Sequence, residues 1–434
     1  MSESIGSKLI GLLGFFLILG TAYLMSNNRK AINWRLILSG LALQLALAIF
    51  VLKVPFGQQL FKSLGDGITS LLECSDAGAK FVFGPLATHE TLVRVFGEGS
   101  AFLFAFRVIP TIIFVSSLVT ISYYLGIMQR VVQLVARFVA FVMGASGSEA
   151  LSNAASVFVG QVEAQLLIKP YVPSMTMSEL LASMAGSMAC VSGGVMAVYI
   201  GIGIKASYLL TASIMAAPGA LVIAKLVWPE TQESQTKGSV KIEVKRENAN
   251  IIDAAAHGAA DGLRIGLNVC AMLIAFIALI ALGDMIIGAI GLGLSNIGVN
   301  GDTIGLPLAH LKLNHIFGLI AAPIAFLLGV PWSDAHVVGR LMAEKLVINE
   351  FVAYMDMSQI LAGKMAETMG PKAETICTFA LCGFANFSSV AMQIGGIGEI
   401  APSRREDLAK LGIKALICGT MASYLSATLA GLLI

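Results

Sequence analysis

Ser152-Asn-Ala-Ala-Ser-Val-Phe-Val-Gly-Gln-Val-Glu163 is apolar enough to sit in a membrane, yet it closes on a glutamine and a glutamate. Lys345-Leu-Val-Ile-Asn-Glu350 repeats the pairing of an amide with a carboxylate in lipid-compatible sequence. An acidic side chain at the centre of a bilayer costs about 2.5 to 3.5 kcal/mol on translocon scales. It persists where a polar ligand or an internal partner offsets that cost. Two such sites in related contexts read as two halves of one binding pocket.

The surrounding composition supports lipid as the solvent. Of the 434 residues, 57% are hydrophobic and 12% charged, against about 25% charged in soluble domains. A net charge of +2 gives no reason to expect nucleic acid as a partner. The six cysteines form no CxxC pair or Cys/His cluster, so they read as small buried hydrophobes, with neither a disulfide framework nor a structural metal or other cofactor.

Stretches at 8–25, 36–54, 102–128, 178–204, 206–227, 265–290, 375–398 and 411–434 have spanning length and little charge. The expected fold is therefore an all-α polytopic membrane protein with eight transmembrane helices. Basic residues follow the first apolar stretch rather than precede it, which argues against a cleaved signal peptide. Arg29, Lys30, Arg35, Arg130, Arg137, Lys237, Lys241, Lys245, Arg246, Arg404, Arg405, Lys410 and Lys414 fall on one side. The positive-inside tendency makes that side cytoplasmic and leaves both termini outside.

Residues 55–100 are too polar to span and are expected on the outer surface or in the interface. Interfacial helices are expected at 129–143 and 251–264, with a third half-buried segment ending near Leu328. The apolar part of the opening stretch, 150–168, is short and interrupted. It predicts a re-entrant hairpin entering from the cytoplasm, with its tip at Gly160-Gln161. Non-helical backbone survives at depth only inside protein or beside a water-filled cavity. A second hairpin, entering from outside, is predicted from Pro331-Trp-Ser-Asp-Ala335 to Asn349-Glu350-Phe-Val-Ala-Tyr354.

Each hairpin precedes a stretch with a helix-breaking centre, Cys190-Val-Ser-Gly-Gly194 and Gly383-Phe-Ala-Asn386. One unit is therefore used twice in opposite senses, an inverted repeat of the kind found in secondary transporters. The chain divides into N-terminal scaffold helices (1–128), a first transport repeat (129–227), a loop with an interfacial helix (228–264), a scaffold span (265–304) and a second transport repeat (305–434).

Glu163 and Glu350 are the leading candidates for ligand contact. Gln161, Asn349, Asn386 and Ser389 add donors and acceptors. No arginine or lysine is expected to accompany them, so the set suits a neutral polyhydroxylated heterocycle better than an anion. Glu149 and Asp334 follow serines at the hairpin starts, where helix N-terminal acids need no further role. A channel would need a continuous polar stripe, and an embedded enzyme would need a nucleophile with a base or a metal cluster. Neither pattern is present, which leaves a carrier as the first reading and a membrane enzyme or channel for a small polar solute as the alternative.

Gly160-Gln161-x-Glu163, Asn349-Glu350-Phe-Val-Ala-Tyr354 and Gly383-Phe-Ala-Asn386-Phe-Ser-Ser389 together resemble the signatures of the concentrative nucleoside transporters. Asn28-Arg-Lys-Ala-Ile32, Phe104-Ala-Phe-Arg107 and Ile252-Asp-Ala-Ala-Ala256 extend the likeness over most of the chain. The resemblance implies a homotrimer in a bacterial inner membrane that moves nucleosides such as uridine or adenosine by an elevator motion. It implies that Gln161 and Glu163 face the nucleobase beside Val195 and Phe384, and that Glu350, Asn386 and Ser389 hold the ribose. Val162 stands where the family usually has serine or threonine, so no hydroxyl is offered to the base there. The family's sodium site maps onto Ser156 and Cys190, with carbonyls from Val159 and Val191. A thiol is a poor ligand for a hard cation, and proton-coupled relatives also have serine at the Ser156 position. A proton is thus expected as coupling ion ahead of sodium, with Glu163 as its carrier.

Overall fold

The computed structural model describes residues 2–96, 103–236, 248–297, 308, 311–365 and 367–434. Lys237, Lys241, Lys245, Arg246 and His310 lie outside the described residues. Regular structure among the described residues is entirely helical.

Among the described residues, seven helices are long and apolar enough to cross a membrane. They overlap seven of the eight expected stretches: α1 (Ser2–Leu24), α2 (Trp34–Leu52), α5 (Phe104–Tyr124), the pair α9 (Met177–Ala189) and α10 (Gly193–Gly201), α11 (Ala206–Val227), α12 (Ile251–Asn296) and α18 (Arg405–Leu433). The eighth, 375–398, is not one helix. It is split into α16 (Pro371–Leu381) and α17 (Phe387–Ile400), neither long enough alone. Gly383 takes φ +119° in the gap, a backbone region that disfavours residues with a Cβ.

Residues 55–83, expected to be too polar to span, are not among the helices apolar enough to cross; they form one 29-residue helix, α3 (Pro55–Phe83), followed by the short α4 (His89–Phe96). Pro55 at its first position pre-sets the helix, and Gly84 with φ +55° stops it. Gly57, Phe61, Gly65, Leu72, Ser75 and Ala79 form its buried face. The charged residues that argued against a span sit on the other faces. One expectation differs: residues 251–264 are not a separate interfacial helix. They open the continuous 46-residue α12, so the boundary drawn at 264 falls inside it. Gly258, Gly262 and Gly266 let α12 lie directly on α5, where a Cβ on Gly262 would come within 2.6 Å of Ile113 Cα. Small residues four apart are the usual means of close helix approach in lipid.

The amphipathic helix expected at 129–143 is α6 (Ile127–Met143), bounded by Gly126 and Gly144, both at positive φ. It buries Val132, Ala136, Val139 and Met143 and exposes Arg130 and Arg137. After it come α7 (Gly147–Ser156), a turn at 157–162 and the single-turn α8 (Glu163–Leu166). In the second half α13 (Leu313–Leu327) meets α14 (Trp332–Val347) at 116°. A break at Ile348-Asn349 then separates α14 from α15 (Glu350–Leu361).

Contacts between connecting segments sort the described helix ends into two sets. Asn27 N donates to Val227 O at 3.1 Å, and Arg404 Nη1 donates to Pro173 O at 3.2 Å, so the basic clusters share one end. At the other end Lys372 Nζ meets Ser7 Oγ at 2.9 Å and Lys205 pairs with Glu374 at 2.8 Å. Large apolar side chains such as Leu13 and Phe16 in α1 and Ile274, Leu282 and Ile290 in α12 stay exposed on the protomer. That is a liability in water and normal against lipid or another subunit.

Candidate functional site

Polar groups converge where the broken helices touch. Phe384 N donates to Cys190 O at 3.3 Å, which joins the break between α16 and α17 to the break between α9 and α10. Gly383 makes this approach possible, because a Cβ there would lie 2.6 Å from Ala189 O. The turn after α7 reaches the same place, with Gly193 N donating to Phe158 O at 3.0 Å.

Three half-helices begin at this junction, each with its own cap. Ser192 Oγ accepts from Val195 N at 3.4 Å, Asn349 Oδ1 from Val352 N at 3.0 Å, and Asn386 Oδ1 from Ser389 N at 2.9 Å. Capping side chains satisfy the N–H groups that a helix start leaves without partners. Asn386 does more than cap. Its Nδ2 donates to Glu350 Oε2 at 2.9 Å, while Tyr199 Oη donates to Glu350 Oε1 at 3.1 Å. Glu350 is buried, yet both its oxygens are engaged. This is how an acid is kept in an apolar setting.

On the other side Gln161 Nε2 donates to Ser389 Oγ at 3.3 Å. A hydrogen-bonded path therefore runs from Gln161 through Ser389 and Asn386 to Glu350. It links the first hairpin, the broken α16–α17 helix and the second hairpin. Val195 and Phe384 are half-buried beside it. Val162 packs on α17, where a Cβ on Gly396 would come within 2.6 Å of Val162 Cγ1.

Glu163 does not join this path. It is exposed, and its carboxylate folds against Gly160 and within electrostatic reach of Tyr123 in α5. The two acids expected to share one set of contacts do not do so: Glu350 lies on the path and Glu163 lies off it. The physical reason lies in α8, a single turn that begins at Glu163 and leaves its side chain at the rim.

The four positions expected around the coupling ion are all buried, and their side-chain donors are committed within the protein. Ser156 Oγ donates to Ser152 O at 2.8 Å and pairs with Ser187 Oγ at 3.1 Å. Cys190 Sγ points to Ser213 O at 3.6 Å, and Val191 N donates to Ser213 Oγ at 3.4 Å. Among the described residues no group of three His, Cys, Asp or Glu side chains could hold a metal ion.

Sequence reasoning missed Tyr199 and Lys345. Lys345 is fully buried, and its Nζ donates to Ala380 O at 2.9 Å and Cys382 O at 3.4 Å. It neutralises carbonyls freed at the end of α16. The signal was present, since a lysine five residues before Glu350 in an apolar segment carries the same membrane cost as the acid. The expectation of no lysine near the acids is corrected here. Glu149 matches its expected role and completes a capping box, accepting from Ser146 N at 2.8 Å. Asp334 accepts from Gly370 N at 3.0 Å in the first turn of α14.

Broken helices that meet at a buried polar path, within a set of membrane-spanning helices, are the architecture of a multi-pass membrane protein with a polar site inside it. Models of the Na+ dependent nucleoside transporter match residues 13–86 (N-terminus) and 208–431 (C-terminus), and a nucleoside recognition (Gate) model matches 105–206. The chain belongs to this nucleoside transporter family, whose members are transporters and not enzymes. It is 39% identical to nucleoside permease NupC of Helicobacter pylori over 99% of this chain and 98% of that one. It is also 39% identical to sodium/nucleoside cotransporter 1 of Mus musculus, over 98% of this chain and 64% of that protein. Its fold is similar to CNTnw in an inward-facing substrate-bound state, with TM-score 0.90, 41% identity and 98% of both chains covered. A CNTnw variant in an outward-facing state is as similar, with TM-score 0.91, 41% identity and 98% and 97% of the chains covered. Inward- and outward-facing structures within one fold support alternating access.

Proposed function

We propose that the chain is a cation-coupled nucleoside symporter of the bacterial inner membrane, with Gln161, Ser389, Asn386 and Glu350 forming one substrate site. The observation that carries this reading is the hydrogen-bonded path among them, buried where two broken helices cross. Glu350, Asn386 and Ser389 take the ribose hydroxyls. Gln161 takes the base, with Val195 and Phe384 packed beside it and Val162 and Glu163 at its rim. The hairpins enter from opposite faces, both termini lie outside, and the hairpin-bearing part moves as an elevator against scaffold helices that hold a homotrimer.

Coupling is to protons ahead of sodium. Cys190 places a thiol where a hard cation would favour an oxygen, which leaves Ser156 Oγ, already hydrogen-bonded to Ser152 O and Ser187 Oγ, and the carbonyls of Val159 and Val191. Glu163, being exposed at the rim, is reachable by water and serves as the proton carrier. In proteoliposomes, labelled uridine or adenosine should show counterflow, which a channel does not give. Uptake should persist without sodium while a proton gradient is held and should collapse with a protonophore. Loss of all concentrative uptake on removing sodium at fixed proton gradient would overturn proton coupling, and absent counterflow would overturn the carrier.

A further inference from the structure

Gln393 lies wholly buried in α17, one turn beyond Ser389 and on the same helix face. Its amide nitrogen faces two acceptors. Nε2 donates to Met184 O of α9 at 3.2 Å and to Gln161 Oε1 at 3.4 Å. Its own Oε1 is buried without a partner.

The order of these contacts is set by one atom. A backbone carbonyl can only accept, so Met184 O requires Gln393 to turn its NH2 group towards α9. The second hydrogen of that NH2 then meets Gln161. The only atom of the Gln161 amide able to receive it is Oε1. Held this way, Gln161 turns its oxygen to Gln393 and its NH2 group to the start of α17, where Ser389 Oγ lies at 3.3 Å and Met392 Sδ at 3.7 Å. Amide orientation follows from such networks, because oxygen and nitrogen are otherwise interchangeable in shape.

We propose that Gln393 is a positioning residue for base selection: it holds the oxygen of Gln161, so that Gln161 presents a donor to the base and favours nucleosides with an acceptor on that edge. This rests on Gln161 being the base-facing residue of the proposed site. Uracil and cytosine separate the outcomes, since uracil carries a carbonyl at position 4 where cytosine carries an amine. The wild-type protein prefers uridine to cytidine.

The test is the uridine-to-cytidine ratio of kcat/KM in proteoliposomes for wild type, Gln393→Met and Gln393→Glu. Methionine fills the space and donates nothing, so Gln161 is released and the ratio falls towards one, by about five- to tenfold, the size of one hydrogen bond. Glutamate, neutral in a dry site, donates its single proton to Met184 O and accepts from Gln161 Nε2. Gln161 is thereby reversed, and the ratio moves further, in favour of cytidine. A ratio unchanged while both rates fall together would mean a packing role only and would overturn the proposal, as would a wild-type preference for cytidine. The wild-type protein gives a second reading that does not depend on the variants folding. A uridine analogue lacking the 4-carbonyl should be carried less well than uridine and better than cytidine; any other order overturns the proposal. Wild-type protein that carries no nucleoside defeats the transport reading itself, a failure seen before any variant is compared.

Discussion

Glu350 shows how one residue can be both costly and stable. Removed from water, it is held by the Tyr199 hydroxyl and the Asn386 amide, one on each oxygen. Replacing Tyr199 with phenylalanine removes a donor and keeps the ring, which packs 4.5 Å from Tyr354 and 6.0 Å from Phe351. Tyr199→Phe should therefore assemble normally and bind nucleoside several-fold more weakly, about 1 kcal/mol for one hydrogen bond. Calorimetric titration measures this, and unchanged affinity would remove Tyr199 from the site. At this scale the sequence was informative wherever a polar residue interrupted apolar surroundings. Gln161, Glu350, Asn386 and Ser389 were legible in that way, and they do meet. Tyr199 was not, because a tyrosine in a membrane helix carries no penalty that sets it apart. Glu163 was legible as an acid, but its position at the rim depends on the one-turn length of α8, which no local pattern specifies.

Helix breaks organise the next scale. Gly383 and Asn386 act together, the first by letting the chain turn at φ +119°, the second by capping α17. Gly383→Ala adds a methyl 2.6 Å from Ala189 O and 2.7 Å from Met188 O, both backbone atoms. The crossing must open, so transport should be lost and the melting midpoint lowered; wild-type uptake by Gly383→Ala would contradict close contact between the breaks. The second hairpin has its own clasp. Buried Arg340 donates to Glu344 at 2.6 Å, Asp356 at 2.9 Å and Glu367 at 2.5 Å, joining α14, α15 and the segment after it. Arg340→Met leaves Glu344 buried without its cation, which costs about 3 to 5 kcal/mol when a buried pair is broken. A thermal melt in detergent within a degree of wild type would show that the clasp contributes nothing. Breaks at 190–194 and 383–386 were legible from small and polar residues. The joining of 251–264 to 265–290 was not, because α12 carries charge early and apolar residues later, which mimics two elements.

For the whole molecule, hydropathy was enough to find the apolar stretches, since each needs about the length of a bilayer crossing. The contacts from Asn27 to Val227 and from Lys372 to Ser7 tie together the ends of those stretches. What hydropathy could not convey is which broken helices touch, because Phe384 and Cys190 are far apart in sequence and bond through backbone alone. The measurement that bears most directly on the account is equilibrium binding of uridine and adenosine to purified wild-type protein and Glu350→Gln. Glutamine keeps the shape and can still pair with Tyr199, but it replaces a charged acceptor of ribose hydroxyls with a neutral amide. The account predicts saturable binding by wild type and at least about a tenfold loss in Glu350→Gln, the scale of a charge-assisted hydrogen bond, with assembly unchanged. Near-normal nucleoside affinity in a well-folded Glu350→Gln variant would contradict it.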